Sequence, residues 1–225
     1  WEVDLVKMIA RQITPDAGEI EMGETIRIGY FAQEVPDMDT DAKVIDYIRD
    51  FGEYVQTEEG KLSASAMLER FLFPPEMQYA PVSKLSGGEK RRLYLLSVLM
   101  QGGNVLLLDE PSNDLDIATV TILEDYLNSF DGIVVVVSHD RYFLDNVADR
   151  IFEMDGQGEI RQYEGGYTDY LNVRRSKEKA LTKGVQNFRK NEDSSSKKPR
   201  HTKLRFSYKE QKEYEEIDGV IAELE

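Results

Sequence analysis

Two adjacent carboxylates, Asp109 and Glu110, close the apolar run Val105-Leu106-Leu107-Leu108. Acids placed side by side at the end of a buried strand repel each other and lose hydration, so they need a cation or a polarised water, unless they simply open an acidic turn. A run without polar alternation reads as a strand covered on both faces in a parallel sheet. Its carboxyl end is where open α/β sheets bind their ligands. A second group, Ser86-Gly87-Gly88-Glu89, precedes a helical pattern from Lys90 to about Leu99. Ser86 and Glu89 have the spacing of a capping box, while Gly87 and Gly88 leave backbone N–H groups open to an anion at the positive end of the helix. A plain helix start needs the serine and the glutamate but neither glycine. The third group is His139, delivered by the apolar run Ile133-Val134-Val135-Val136-Val137-Ser138 to the same edge of the sheet. A histidine after a strand is usually a surface residue or a structural hydrogen-bonder, so its meaning depends on the other two groups.

The elements that must position these groups follow the same periodicities. Leu5–Ala10 has helical apolar spacing, Thr14–Gly18 is a turn, and Glu19–Met22 and Thr25–Tyr30 alternate as strands. Gln33 follows, between the second strand and an acidic insert in which Ala42–Asp50 and Ala64–Phe71 read as helices. Phe73-Pro74-Pro75 stops the latter. Lys90–Leu99 returns to the core, with Arg91 and Arg92 read as local ion-pair partners. Ala118–Phe130 is a helix leading to the His139 strand. Ile151–Met154 and Glu159–Tyr163 form a hairpin around Asp155-Gly156-Gln157-Gly158, and Gly165-Gly166-Tyr167 starts a last helix. The fold class is α/β, with a mostly parallel sheet, a small antiparallel β part, a helical subdomain and a C-terminal helical extension.

In this order and spacing the three groups resemble the signature loop, the carboxylate-bearing nucleotide motif with its D-loop, and the switch histidine of ATP-binding-cassette (ABC) ATPases, a branch of the P-loop NTPases. The wording Asp109-Glu110-Pro111-Ser112-Asn113-Asp114-Leu115-Asp116 and Ser138-His139-Asp140-Arg141-Tyr142-Phe143-Leu144 is similar to the F subfamily. The resemblance runs from residue 5 to 171, with a weaker echo of the Uup-like branch from 204 to 225. It implies ATP and Mg²⁺ as cofactors. Asp109 would hold Mg²⁺ through its water shell, Gln33 would touch the metal and its water, Glu110 would orient the attacking water, and His139 would bond the γ-phosphate. Ser86, Gly87, Gly88 and Glu89, with Asp116 closing the D-loop, would serve the nucleotide held by another cassette of the same polypeptide, in a head-to-tail sandwich. This chain would be the second cassette of a soluble, cytoplasmic twin-cassette ATPase whose partners are the ribosome, its rRNA or a tRNA. DNA association and a transporter motor stand as alternatives.

One departure from the family pattern concerns the phosphate-binding loop. The helix from Leu5 should follow Gly-Lys-Ser/Thr-Thr, but the preceding residues are Trp1-Glu2-Val3-Asp4, with Glu2 near the lysine's place, and no G-x-x-x-x-G-K-S/T occurs in the 225 residues. A fragment, or a sequence that omits residues, accounts for this better than an evolved inactive site. The 225 residues alone are therefore expected to be inactive.

Composition allows this reading without suggesting it. The absence of cysteine excludes disulfides and thiolate metal sites and suits a reducing compartment. No apolar stretch approaches the roughly 18 residues that span a bilayer. Charge is uneven: residues 1–173 hold 14 Lys/Arg and 33 Asp/Glu, residues 174–212 hold 14 Lys/Arg and 4 acids, and residues 213–225 hold 6 acids. An acidic body repels phosphate backbones, so nucleic-acid contact should fall on the basic segment, which otherwise is a solvated linker. The domain division expected is 1–173 for the ATPase domain (helical subdomain about 36–96), 174–206 for a basic linker, and 207–225 for the start of a coiled-coil helix, where Tyr208, Tyr214, Ile217, Ile221 and Leu224 recur at close to three- and four-residue spacing.

Overall fold

The computed structural model describes residues 2–38, 40–57 and 60–177. In chain order the elements are α1 (Glu2–Ile9), β1 (Ile28–Phe31), α2 (Val44–Arg49), β2 (Tyr54–Thr57), β3 (Gly60–Ser63), α3 (Ala64–Arg70), α4 (Pro75–Gln78), α5 (Gly87–Met100), β4 (Val105–Asp109), α6 (Ile117–Asn128), β5 (Ile133–Val137), α7 (Arg141–Val147), β6 (Arg150–Met154) and β7 (Ile160–Glu164). A helix over 167–177 closes the described chain. The expected basic linker thus begins inside this helix, and the expected coiled-coil start at 207–225 lies outside the described residues.

A three-stranded parallel sheet in the order β1-β4-β5 carries the site. Leu108 is level with Phe31 and with Val136, and Asp109 with Val137, so the loops after all three strands leave from one edge. Parallel strands need crossovers, supplied here by the insert with α5 and by α6. β4 is the central strand, and Leu106, Leu107, Leu108 and Asp109 are all buried, as its unbroken apolar run requires. β5 is less enclosed than its five β-branched residues suggest. Its outer edge carries no strand among the described residues, Val134–Val137 are half-buried and Ile133 is exposed.

α5 lies between this sheet and the insert. Leu93, Leu95, Leu96, Val98, Leu99 and Met100 are all buried, and the helix packs on β1, α2 and α3. It begins at Gly87, three residues before the apolar pattern, because the Ser86–Glu89 capping box forms in full and satisfies N–H groups of the first turn. Gly52 lets the insert pass the other end of α5, since a Cβ there would stand 2.5 Å from the Met100 carbonyl oxygen.

The insert is not wholly helical. A β2–β3 antiparallel hairpin sits between α2 and α3, with Val55 buried and Gly60 at φ +115°, a conformation that favours glycine. A second antiparallel pair, β6–β7, matches the expected hairpin. The strand expected at Glu19–Met22 does not form. That stretch has no pairing partner among the described residues, and Ile20 and Ile26 remain exposed. The strand expected from Thr25 starts instead at Ile28, opposite Val105, where pairing with β4 begins. α1 is continuous through Asp4 and Leu5, and the N–H of Ala10 still donates to the Val6 carbonyl at 2.8 Å.

Candidate active site

Asp109 ends β4 only 1% exposed, and neither of its carboxylate oxygens has a hydrogen-bond partner among the described residues. Burial raises its carboxyl above the usual carboxylate range, against the opposing charges of Lys7 and Arg91. Glu110 follows at φ +48°, a left-handed conformation uncommon outside glycine that turns its side chain off the strand. Its N–H donates to the Val137 carbonyl at 2.8 Å, which locks the turn to the end of β5. The carboxylate is 8% exposed, and its Oε2 accepts from the His139 N–H at 3.4 Å. The His139 Nε2 stands 3.6 Å from Oε1, a distance beyond a hydrogen bond, and the ring is 88% exposed. A buried acid pair with three oxygens that lack hydrogen bonds among the described residues, beside an exposed imidazole, is incomplete in itself. It has the donor set and the unmet charge that suit a hard divalent cation and a water bound next to it.

The start of α5 has the complementary property. Glu89 Oε2 accepts from both the Ser86 N–H and the Ser86 hydroxyl at 2.8 Å, while the Glu89 N–H donates back to Ser86 Oγ at 3.3 Å. Gly87 has no heavy atom within 4 Å of an added Cβ, and the nearest to Gly88 is the Asp114 carbonyl oxygen at 3.7 Å. Neither has a positive φ, so the fold demands neither glycine. Open space above bare N–H groups at a helix N-terminus is what a closely approaching phosphate needs.

Ser86 also sets a pH dependence. Its N–H and then its hydroxyl hold the Glu89 carboxyl below the usual range. A depressed carboxylate contributes stability that is fully present above its unfolded value and is lost as pH falls through the lower folded value. Ser86→Ala is expected to cost about 1 kcal/mol at neutral pH. The gap from the parent should begin to narrow near the ordinary glutamate value, about pH 4, and close as pH falls through the lower value that Glu89 holds in the parent. Urea midpoints between pH 7 and 3 measure this, and a gap that stays constant to pH 3 would show that the hydroxyl does not act on the carboxylate.

The remaining candidates are placed differently. Asp116 caps α6, accepting from the Thr119 N–H at 2.8 Å and pairing with Arg92 Nη1 at 3.1 Å, and these contacts, the Thr119 N–H foremost, hold its carboxyl low. Gln33 is exposed after β1, and its carbonyl accepts from Arg91 Nη1 at 2.6 Å. Arg92 is an ion-pair partner as expected. Arg91 instead donates to three main-chain carbonyls, those of Gln33, Glu110 and Asn113. The sign available in the sequence was an arginine at the start of a run whose next residues are nearly all core.

The structure thus gathers Asp109, Glu110 and His139 at one sheet edge and leaves Ser86, Gly87, Gly88 and Glu89 on an outward helix start beside the Asp114 loop. The family model for the ABC transporter domain matches residues 4–113. YfmR of Bacillus subtilis (strain 168), described as an uncharacterised ABC transporter ATP-binding protein, is 47% identical over 222 residues, which is 98% of this chain and 34% of that protein. The chain is an ABC-F-type ATPase domain. The ATP-binding protein Uup of Escherichia coli (strain K12) is 34% identical over 224 residues, 98% of this chain and 35% of Uup. The energy-dependent translational throttle protein EttA of the same strain is 39% identical over 166 residues, 74% of this chain and 30% of EttA. The chain therefore spans about a third of the length of each of these relatives. The archaeal ribosome recycling factor aABCE1, in its complex with the stalk protein aP1, shares the fold with a TM-score of 0.58 at 24% identity, covering 77% of this chain and 34% of that one. ABC-F-type domains have the ATP-binding and ATP-hydrolysing capability of ABC ATPases. No helix among the described residues is long and apolar enough to cross a membrane.

Proposed function

We propose that this ABC-F domain is the second cassette of a cytoplasmic twin-cassette ATPase that binds the ribosome, contacting rRNA or tRNA, and times its release by hydrolysis. The observation that carries the ATPase reading is the buried Asp109–Glu110 pair, three of whose four carboxylate oxygens have no hydrogen-bond partner among the described residues, beside the exposed His139 ring. Asp109 and Gln33 would hold Mg²⁺, which when bound neutralises charge on the phosphates. Glu110 accepts a hydrogen bond from the attacking water and polarises it, and His139, 3.6 Å away, donates toward the γ-phosphate position. Gly87 and Gly88 offer their N–H groups, with Ser86 and Glu89 fixing that turn, to the nucleotide of the other cassette. Asp116 holds the loop beside them by capping α6.

The ribosomal part of the reading is supported by the relation to EttA and by charge. The domain to residue 173 has a net charge of −19 and residues 174–212 one of +10, so the domain times and the basic segment grips. The proposed division follows: 1–173 for the domain, 174–206 for the basic linker, 207–225 for the start of a coiled coil. Charge does not separate RNA from DNA, which makes branched DNA the second reading. In the intact two-cassette protein, neutralising Lys197, Lys198, Arg200, Lys203 and Arg205 together is expected to weaken ribosome binding and flatten its salt dependence. Each lost phosphate contact lowers the log–log slope by about 0.7 to 0.9. Basal ATPase should stay within about twofold, because none of the five is among the residues assigned to the nucleotide site. Titrations of parent and variant on ribosomes and on branched DNA across a salt series decide the target. A salt effect on DNA alone would replace the ribosome by DNA, and equal slopes on both would reduce the segment to a linker.

A further inference from the structure

Arg91 is 4% exposed, yet its guanidinium makes no ion pair among the described residues. Nη1 donates to the Gln33 carbonyl at 2.6 Å, Nη2 to the Glu110 carbonyl at 2.9 Å, and Nε to the Asn113 carbonyl at 2.6 Å. Its plane is held over the Phe31 ring, 5.0 Å from the centroid. Two segments far apart in sequence, the Gln33 loop and the Glu110–Asn113 turn, therefore meet on one planar fork that rides on α5. Two of the three carbonyls belong to a loop under backbone strain, with Glu110 at φ +48° and Asp114 at φ +58°. Such conformations persist where the surroundings over-determine them. The Glu110 carbonyl also accepts from the Asn113 N–H at 3.2 Å, so Arg91 completes a closed turn rather than an open one.

We propose that Arg91 is the positioning residue of this ATPase site: it fixes the backbone from which the Glu110 carboxylate is aimed, and ties that backbone and the Gln33 loop to the helix whose first turn carries Gly87 and Gly88. The proposal rests on the ATPase reading above and adds to it a mechanical link between the two faces of the domain. A lysine cannot replace the fork, because its three donors radiate from one atom while the carbonyls are bonded by three separate nitrogens. Arg91 does not touch the reacting atoms, and its effect passes through Glu110.

The test uses the intact two-cassette protein with Arg91→Met, Arg91→Lys and Glu110→Gln, each checked for an unchanged melting transition. Arg91→Met is expected to lower kcat for ATP about 10- to 100-fold, the scale of a misplacement of about 1 Å. Nucleotide affinity should stay within about twofold, since removing a group that acts only on aim spares ground-state binding. Arg91→Lys should fall between parent and Met, and adding Arg91→Met to Glu110→Gln should cause little further loss, because the two act as a unit. In nucleotide-free protein, amide exchange across residues 110–115 should accelerate in Arg91→Met, a readout independent of turnover. Parental kcat in a folded Arg91→Met protein overturns the proposal. So does full rescue by lysine, which would reduce the role to charge, or a fall of kcat and affinity by the same factor together with a lowered melting transition, which would reduce it to folding. A parent whose ATPase is insensitive to Glu110→Gln would instead overturn the ATPase reading itself.

Discussion

Glu110→Gln, in an intact two-cassette protein whose other cassette already lacks its own water-orienting carboxylate, is expected to lower ATP turnover by about 10²–10⁴-fold, the usual contribution of a positioned general base. ATP affinity should remain within about twofold, because the Asp109 carboxylate and the α5 start are untouched. The geometry makes this substitution selective. The existing polar contact of Glu110, the His139 N–H at 3.4 Å, needs only one oxygen, which glutamine keeps. What glutamine removes is the negative charge shared with the other oxygen, Oε1, which has no hydrogen-bond partner among the described residues and stands 3.6 Å from His139 Nε2. The turn at φ +48° accommodates either side chain equally, so a stability change is not expected. ATP-loaded, closed protein should then accumulate on its target, visible as slowed exchange of labelled nucleotide and as retention on ribosomes. Exchange at the parental rate under saturating ATP would remove Glu110 from the role of orienting the water.

Much of this site was legible because its signals are local. Ser86 and Glu89 announce the α5 start through three-residue spacing, and the capping box forms in full. Asp109 and His139 follow apolar runs, which the structure pairs in parallel with Asp109 opposite Val137. The β6–β7 hairpin and α3 were also marked by local turn and periodicity cues. What escaped either depended on partners distant in sequence or was too short to show a period. The alternation at Glu19–Met22 is genuine, but alternation makes a strand only when another strand receives its hydrogen bonds, and none does among the described residues. β2 and β3 are four residues each, too short for a period to stand out inside an insert that otherwise reads as helical. Arg91 is the clearest case: its three acceptors lie 58, 19 and 22 residues away and are all backbone carbonyls, which carry no residue-type signature.

A chain of these 225 residues by itself is expected to release phosphate from ATP no faster than its own Glu110→Gln form. The residues that would bind the β- and γ-phosphates of ATP held at Asp109 include no G-x-x-x-x-G-K-S/T loop within this chain. The described first turn of α1, residues 2–5, is continuous through Asp4 and Leu5 and contains no lysine or hydroxyl. The groups best suited to cap a γ-phosphate, Gly87 and Gly88, stand on an exposed helix start beside the Asp114 loop, whereas the Glu110 carboxylate faces His139. In the proposed sandwich, serving both ends of one nucleotide takes a second cassette as well as the phosphate loop. Loss of a single oxyanion donor typically costs about 10²–10³-fold in rate, and here several are missing at once. A steady-state phosphate-release assay on the 225-residue protein and its Glu110→Gln form at saturating ATP and Mg²⁺ makes the comparison direct. Turnover of the parent above the variant would mean that Asp109, Glu110 and His139 assemble a working site without the lysine loop or the partner's glycines, and the sandwich requirement would then have to be withdrawn.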